Sequence, residues 1–364
     1  MSLARAAQTG QLRQAHCRLV RIEKMSRLSR CAGLPLFALL LAFSGKADAA
    51  GDNERLQACL EMQNDVPSAQ ALACYRQAAQ AQLADSEATK ENKRALVRAP
   101  NRNLADDWTP SNEVLHIYKQ NYFLVYSHSS QPNNNPTSPN PNNQAPSSYP
   151  LDSKEMKFQI SVKGHFLGQN RHTLWFGYTQ LAFWQIFDSA HSQPFREVNY
   201  EPELIYSYRP EKRSLAGIGL GFLNVAFVHQ SNGQSLPRSR SWNRQYIQLG
   251  LERDFGDNGK LAVLPRWWKR LGGGTSDDDN PDITSHLGRG DLEARYYNGK
   301  LTLSALIRVH SVQFDLAIPP PELFGIQPQN SNLHLQYFNG RGESLIDYNQ
   351  RHSTFGFGIS MPFE

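Results

Sequence analysis

The sequence predicts an all-β protein, a 12-stranded antiparallel transmembrane β-barrel with a small helical N-terminal extension. Three observations carry this. Strand-like runs with period-two alternation recur from about Leu115 to the end, separated by turns. The chain opens with the features of an export signal, and its remainder has no apolar run long enough for a membrane helix. The final strand places Phe355, Phe357, Ile359, Met361 and Phe363 on one face, one residue short of the terminal Glu364. Aromatic residues make up 10% of the chain although mean hydropathy is -0.55. Barrels combine the two because only alternate residues face lipid. A soluble sandwich has the same period with its greasy faces turned inward, so alternation alone does not choose between them.

Residues 1–49 read as a signal peptide with an over-long start. Met25-Ser-Arg27-Leu-Ser-Arg30 is a basic region, Leu34 to Phe43 is apolar, and Ala47-Asp48-Ala49 has the small-x-small form that a signal peptidase cuts. Residues 1–24 are basic and lack an apolar run; a start assigned upstream of Met25 is the simplest explanation, with a genuine extension as the alternative. The formal charge of +5 includes this basic segment, and no Lys/Arg stripe interleaved with aromatics appears in the body. Nucleic acid is therefore not an expected partner. Cys17 and Cys31 leave with the signal, while Cys59 and Cys74 remain as an even pair in an exported chain, where a disulfide is expected.

Residues 50–110 are predicted to be a periplasmic helical extension. They are rich in Ala, Gln, Glu and Lys up to the turn Asp106-Asp107-Trp108-Thr109-Pro110. Residues 111–364 form the predicted barrel. The tract from Ser129 to Pro150 is dense in Asn, Pro and Ser and reads as a flexible outer loop between the first two strands. Met156, Phe158, Ile160 and Val162 then alternate with Lys157, Gln159, Ser161 and Lys163. Leu174 to Trp184 is a strand in which Trp175, Tyr178, Phe183 and Trp184 are expected to anchor in lipid. Gln180 lies in the same strand and could face either lipid or lumen. Ile247, Leu249 and Leu251 alternate with Arg244, Tyr246, Gln248 and Glu252. About 250 residues at roughly 20 per strand and connection give about 12 strands, an even number as expected of a single-chain bacterial barrel.

The chemistry concentrates in His229-Gln230-Ser231-Asn232-Gly233 and in Ser241-Trp242-Asn243-Arg244. A histidine and a serine two residues apart share one strand face, here with Phe227, Val225 and Leu223. Asn243 shares its face with Ile247, Leu249 and Leu251. A serine becomes nucleophilic when an adjacent base takes its proton and a third group fixes the base. The bland alternative is a set of ordinary polar residues where a strand meets headgroups.

These motifs, together with Ser192-Gln-Pro-Phe-Arg-Glu-Val-Asn-Tyr-Glu-Pro202, Asp278-Asp-Asn-Pro-Asp-Ile-Thr284 and Gly340-Arg-Gly-Glu-Ser-Leu-Ile-Asp-Tyr-Asn349, resemble the outer-membrane phospholipase A family from about Leu115 onward. The resemblance implies a 12-stranded barrel with its catalytic residues on the outer, lipid-facing wall. It makes Ser231 the nucleophile, His229 the general base and Asn243 the residue that orients the imidazole. An amide suits a lipid face better than an unpaired carboxylate would. The resemblance also implies calcium, held by the backbone carbonyl of Gln234, the hydroxyl of Ser239 and an oxygen of Ser192 from a partner subunit. Asp279 matches an acidic residue of a second, monomer-state calcium site, whose usual companion aspartate is replaced here by Leu236. The alternative for Asp277, Asp278 and Asp279 is a solvated loop. Gln180 matches a polar residue of the family's dimer interface.

The expected function is a calcium-dependent phospholipase of the bacterial outer membrane. It would cleave the sn-1 and sn-2 acyl esters of phospholipids and lysophospholipids, and act as a homodimer. The alternative is a passive barrel, porin-like or structural, which requires an open lumen; a soluble periplasmic esterase is a third, weaker reading.

Overall fold

The computed structural model describes residues 103–362, apart from 147–149, 212–213, 256–258, 275–276, 300 and 322–330, together with Ala73, Arg76, Gln77 and Gln80, which are helical and exposed. The export signal, the Met25 start, the Cys59–Cys74 pair and most of the expected helical extension 50–110 lie outside the described residues. The chain divides into two compact units, Met1–Glu91 and Asn92–Glu364.

The second unit is built from fourteen described strands. They are β1 (His116–Ile117), β2 (Tyr122–Ser129), β3 (Lys154–Gln169), β4 (His172–Trp184), β5 (Phe195–Tyr208), β6 (Ser214–Leu215), β7 (Ile218–Ser231), β8 (Ser241–Phe255), β9 (Gly259–Leu271), β10 (Gly290–Asn298), β11 (Leu301–Arg308), β12 (Ser311–Ile318), β13 (Asn332–Arg341) and β14 (Arg351–Ser360). Twelve of them close into a ring of antiparallel neighbours. The path runs from β2 through β14 and down in order to β7, β5, β4 and β3, which pairs with β2 again. The two-residue pieces stand apart from the ring: β1 pairs with β3, and β6 with β7. Closure gives every strand of the ring a neighbour on both sides, as a wall in hydrocarbon requires. The connections 130–153, 185–194, 232–240, 272–289 and 342–350 gather at one end, whereas 319–331 is at the other. A short helix, α1 (Ile283–Leu287), lies in the fourth of these.

The alternation seen in the sequence resolves into an inside-out molecule. On β7, Asn224, Ala226 and Val228 are buried inward, whereas Val225 and Phe227 are exposed, Phe227 by 56%. On β3, Lys157 is 1% exposed and Ser161 and Lys163 are buried with it. The interior charges pair across the lumen. Lys157 Nζ meets Glu343 at 2.8 Å, and Arg196 meets Glu155 at 2.9 Å and Asp347 at 2.7 Å. Lys119 meets Glu201 at 2.6 Å and Glu203 at 2.8 Å. Arg244 reaches Glu201 at 3.3 Å.

Two aromatic residues expected on the lipid side point inward instead. Trp175 is fully buried and its Nε1 donates to Thr173 Oγ1 at 2.9 Å. Phe183 is buried with the Arg196 guanidinium 4.6 Å from its ring centre. Odd-numbered residues of β4 face the lumen, so Trp175 and Phe183 cannot share the face of Tyr178 and Trp184. Gln180 is on the outward face, half-buried, where Tyr178 donates to its Oε1 at 3.0 Å. The lumen-facing alternative for Gln180 is thereby removed.

The approach to the first strand also enters the barrel. Leu104 and Trp108 are buried in the lumenal core with Trp175, Ile205 and Phe222. Lys163 Nζ lies 3.8 Å over the Trp108 ring, and Leu104 N donates to Glu252 Oε2 at 2.9 Å.

Removing one partner of a buried charge cluster leaves its counter-charges desolvated, at a cost of ~3–5 kcal/mol. Arg196→Ala strands Glu155 and Asp347 in this way, and is expected to lower folding stability by that amount in a urea titration of the refolded barrel; an unchanged midpoint would contradict the assigned pairing.

Candidate active site

β7 and β8 present the three predicted residues on the outer wall, just below the loop 232–240 that joins them. His229 stands directly opposite Asn243, and Ser231 opposite Ser241. The His229 Nδ1–H donates to Asn243 Oδ1 at 2.7 Å. An amide oxygen only accepts, so this bond places the proton on Nδ1 and leaves Nε2 with a free lone pair. Ser231 follows on the same face, two residues along. Among the described residues, this His229–Asn243 bond is the one hydrogen bond within the trio. Nucleophile–base contacts are often loose without substrate. His229 and Asn243 are exposed outward and Ser231 is half-buried. Below them the same wall carries the exposed Val225, Phe227 and Ile247. The trio therefore sits at the top of an apolar stripe rather than in a pocket of the lumen.

The loop 232–240 is held closed by Asn232, which is buried. Its Oδ1 accepts from Arg240 N at 3.0 Å and Gln234 N at 3.3 Å, and its Nδ2 donates to Arg238 O at 2.8 Å. Gly233 takes φ +63, a left-handed conformation, and a Cβ there would come within 3.1 Å of the Tyr200 ring. Arg240 is fully buried and donates to the carbonyls of Pro237, Ser239 and Asn143 at 3.2, 2.7 and 3.2 Å. Burial pushes its guanidinium pKa down, against the pull of Tyr348, Asp279 and Glu197.

Two of the predicted calcium ligands come together. Ser239 Oγ donates to Asp279 Oδ2 at 2.7 Å, and Ser241 Oγ reaches the same oxygen at 3.2 Å. Ser241 N donates to Asn280 Oδ1 at 3.0 Å. This cluster of hydroxyl and carboxylate oxygens adjoins the trio, since Ser241 is the cross-strand neighbour of Ser231. Oxygen-only donors suit a hard cation such as calcium. Gln234 lies in the same loop, but its side chain is turned away to Glu197 Oε2 at 2.8 Å. Ser192 is apart from the others, exposed in the 185–194 loop with φ 62. Among the described residues, no group of three or more His, Cys, Asp or Glu side chains is arranged to hold a metal. Asp278 and Asp279 are not simply solvated: Asp278 is buried and meets Arg270 at 2.6 Å.

Sequence reasoning missed the first outer loop. The Asn/Pro/Ser tract, read as flexible, packs down over this cluster in its described part. Pro136, Ser138, Asn140, Asn143 and Ala145 are buried. Asn143 Nδ2 donates to Ser239 O at 2.9 Å and to Asp279 Oδ1 at 3.3 Å. Ser138 Oγ donates to Asp279 O at 2.6 Å, and Asn140 Nδ2 to Asp278 O at 3.0 Å. Short amides replace apolar burial with hydrogen bonds to loop backbone, which composition does not reveal. The local clue was the Asx-type turn, in which Asn140 Oδ1 accepts from Asn142 N at 3.0 Å.

Known proteins share this architecture. A sequence model of the phospholipase A1 family matches residues 102–361. A relative from Neisseria meningitidis serogroup B is 37% identical over 246 residues, which are 65% of this chain and 63% of that protein, so the match spans less than two thirds of its length. The phospholipase A1 of Salmonella typhimurium is 35% identical over 263 residues, 68% of this chain and 81% of that protein. Among solved structures, the Salmonella typhi outer membrane phospholipase dimer with bound calcium gives a TM-score of 0.60 at 31% identity, covering 72% of this chain and 97% of that one. Outer membrane phospholipase A from Escherichia coli gives 0.57 at 31% identity, covering 68% and 98%.

Asn143 ties three loops to one another, so Asn143→Ala is expected to loosen them together. The loss of its bonds should cost about 1–3 kcal/mol locally, read as faster proteolytic nicking within 131–146 while the barrel remains intact; an unchanged nicking rate would show that the loop does not depend on this amide.

Proposed function

The chain belongs to the phospholipase A1 family, and from that premise we propose that it is an outer-membrane enzyme that hydrolyses the sn-1 and sn-2 acyl esters of phospholipids and lysophospholipids. The observation that carries this reading is the 2.7 Å His229–Asn243 hydrogen bond beside Ser231 on the outward wall. A lipid lying along Val225, Phe227 and Ile247 brings its ester to the height of the trio. No entry into the lumen is needed, and the lumen is in any case occupied by Trp108 and the charge network.

In the proposed reaction Ser231 Oγ attacks the ester carbonyl carbon while His229 Nε2 takes its proton. Asn243 holds the imidazole through Nδ1, so that the ring faces the serine in one tautomer. The protonated His229 then gives its proton to the leaving glycerol oxygen, and the acyl group stays on Ser231. Water, deprotonated by His229 in its turn, releases the fatty acid and restores the serine. Calcium, when bound, supplies positive charge that stabilises the developing oxyanion. Ser239 Oγ and the Gln234 carbonyl would hold it, completed by Ser192 from a second copy of the chain. Asp279 already lies on Ser239 and would neutralise the ion's charge. We read the active form as a homodimer that assembles from dormant monomers when phospholipid reaches the outer leaflet. The outward Gln180 supports this, because an amide at a lipid face gains by meeting its symmetry mate.

Two assays on refolded protein in mixed micelles test the reading. Ser231→Ala is expected to abolish fatty-acid release, a fall of at least ~10³-fold, while the folded form keeps its compact gel mobility; full activity in that variant would refute the assignment. Chelating calcium is expected to stop turnover in the unaltered chain and readdition to restore it, and an unchanged rate under chelator would remove the metal from the mechanism.

A further inference from the structure

A second feature of the outer wall lies away from the trio, on β12, β13 and β14; β9, β10 and β11 intervene between it and β8. The register stacks the outward residues in rows. Phe314 faces Tyr337, which faces Phe355, and all three are exposed. The next row toward the loops is Val312, Asn339 and Ser353. The row above that is cationic. Arg341 stands directly opposite Arg351, and Arg341 N donates to the carbonyl of His310 at 3.2 Å. His310, Arg341 and Arg351 line a cleft of about 330 Å³ with Val309, Val312 and Asn339.

Two like charges directly opposite on neighbouring strands repel. Here nothing among the described residues offsets them. Neither guanidinium has a described carboxylate within salt-bridge distance, and the buried Arg341 Nε has no hydrogen-bond partner. The acids of the adjoining loop are already engaged on the lumenal side, Glu343 with Lys157 and His352, and Asp347 with Arg196. The pair therefore presents an outward cationic fork suited to an anion. An arginine fork binds phosphate oxygens in bidentate fashion. The aromatic row lies four residues below, about 13 Å along the strands, where a girdle at the hydrocarbon boundary belongs.

We propose that His310, Arg341 and Arg351 form a binding site for the phosphate monoester headgroup of an outer-leaflet lipid whose chains lie on Phe314, Tyr337 and Phe355. The site is non-catalytic. It fixes the depth of the wall opposite the trio and relieves the arginine repulsion. It rests on the outward orientation of the wall and is independent of the hydrolytic reading.

The test uses the full chain in hexadecylphosphocholine micelles doped with hexadecyl phosphate, which has no carboxylic ester to be cleaved. Native mass spectrometry counts the bound alkyl phosphate, and the thermal midpoint is followed in parallel. The unaltered chain should hold one alkyl phosphate and melt higher. The Arg341→Gln/Arg351→Gln double variant should bind about ten-fold more weakly or worse, Arg351→Gln alone should fall between, and a Lys154→Gln/Arg253→Gln control should match the unaltered chain. Inorganic phosphate at the same concentration should not displace the alkyl phosphate. Absence of a bound alkyl phosphate on the unaltered chain, unchanged binding in the double variant, or an equal loss in the control would overturn the site; displacement by inorganic phosphate would overturn its assignment to a lipid.

Discussion

Everything in the barrel unit depends on closure of the strand ladder. Once β14 pairs with β2 and β3 with β4, every strand of the ring has two neighbours, and the wall can stand in hydrocarbon. Closure also sorts the side chains. One parity of each strand is shut into a narrow lumen where charges must find partners, and the other is turned out to lipid. Lys157, Arg196 and Lys119 satisfy the first demand through Glu343, Glu155, Asp347, Glu201 and Glu203. Val225, Phe227 and Ile247 satisfy the second.

Against that background the His229–Asn243 pair is an exception placed where an exception costs least. It lies at the upper end of β7 and the start of β8, where the wall meets headgroups and water. The imidazole N–H is held by an uncharged amide, so no charged residue has to stand on the lipid side. The oxygens of Ser239, Ser241 and Asp279 lie one register step away and are pinned from above by Asn143. Rigid strands set the trio, and hydrogen-bonded loops set its polar neighbour; the two meet at Ser241.

Much of this was legible in the sequence because strand parity is a strict rule. Grouping His229 with Ser231, and Asn243 with Ile247, followed from counting by twos, and so did separating Lys157 and Arg244 from the greasy faces of their strands; which face is inside did not. Gln180 was undecided because the sequence does not say which face of β4 is inside. The same rule, applied fully to β4, would have separated Trp175 and Phe183 from Tyr178 and Trp184. Aromatic content suggested an anchor for all four, whereas the lumen near Trp108 is itself apolar and takes two of them. The loop 131–146 was not legible. Its burial comes from long-range bonds such as Asn143 to Ser239 and Ser138 to Asp279, which local composition does not encode. Ser241 and Asn280 were overlooked for the same reason: each matters only through a partner on another loop.

The Leu104–Trp108 segment has a consequence for the bore of this barrel. Its own leading peptide fills part of the bore, packed on Trp175 and Phe222, and narrows what is left to a cavity of about 210 Å³. What fills the bore and what meets lipid are then set by opposite parities of the same twelve strands, so either can change while the other is kept.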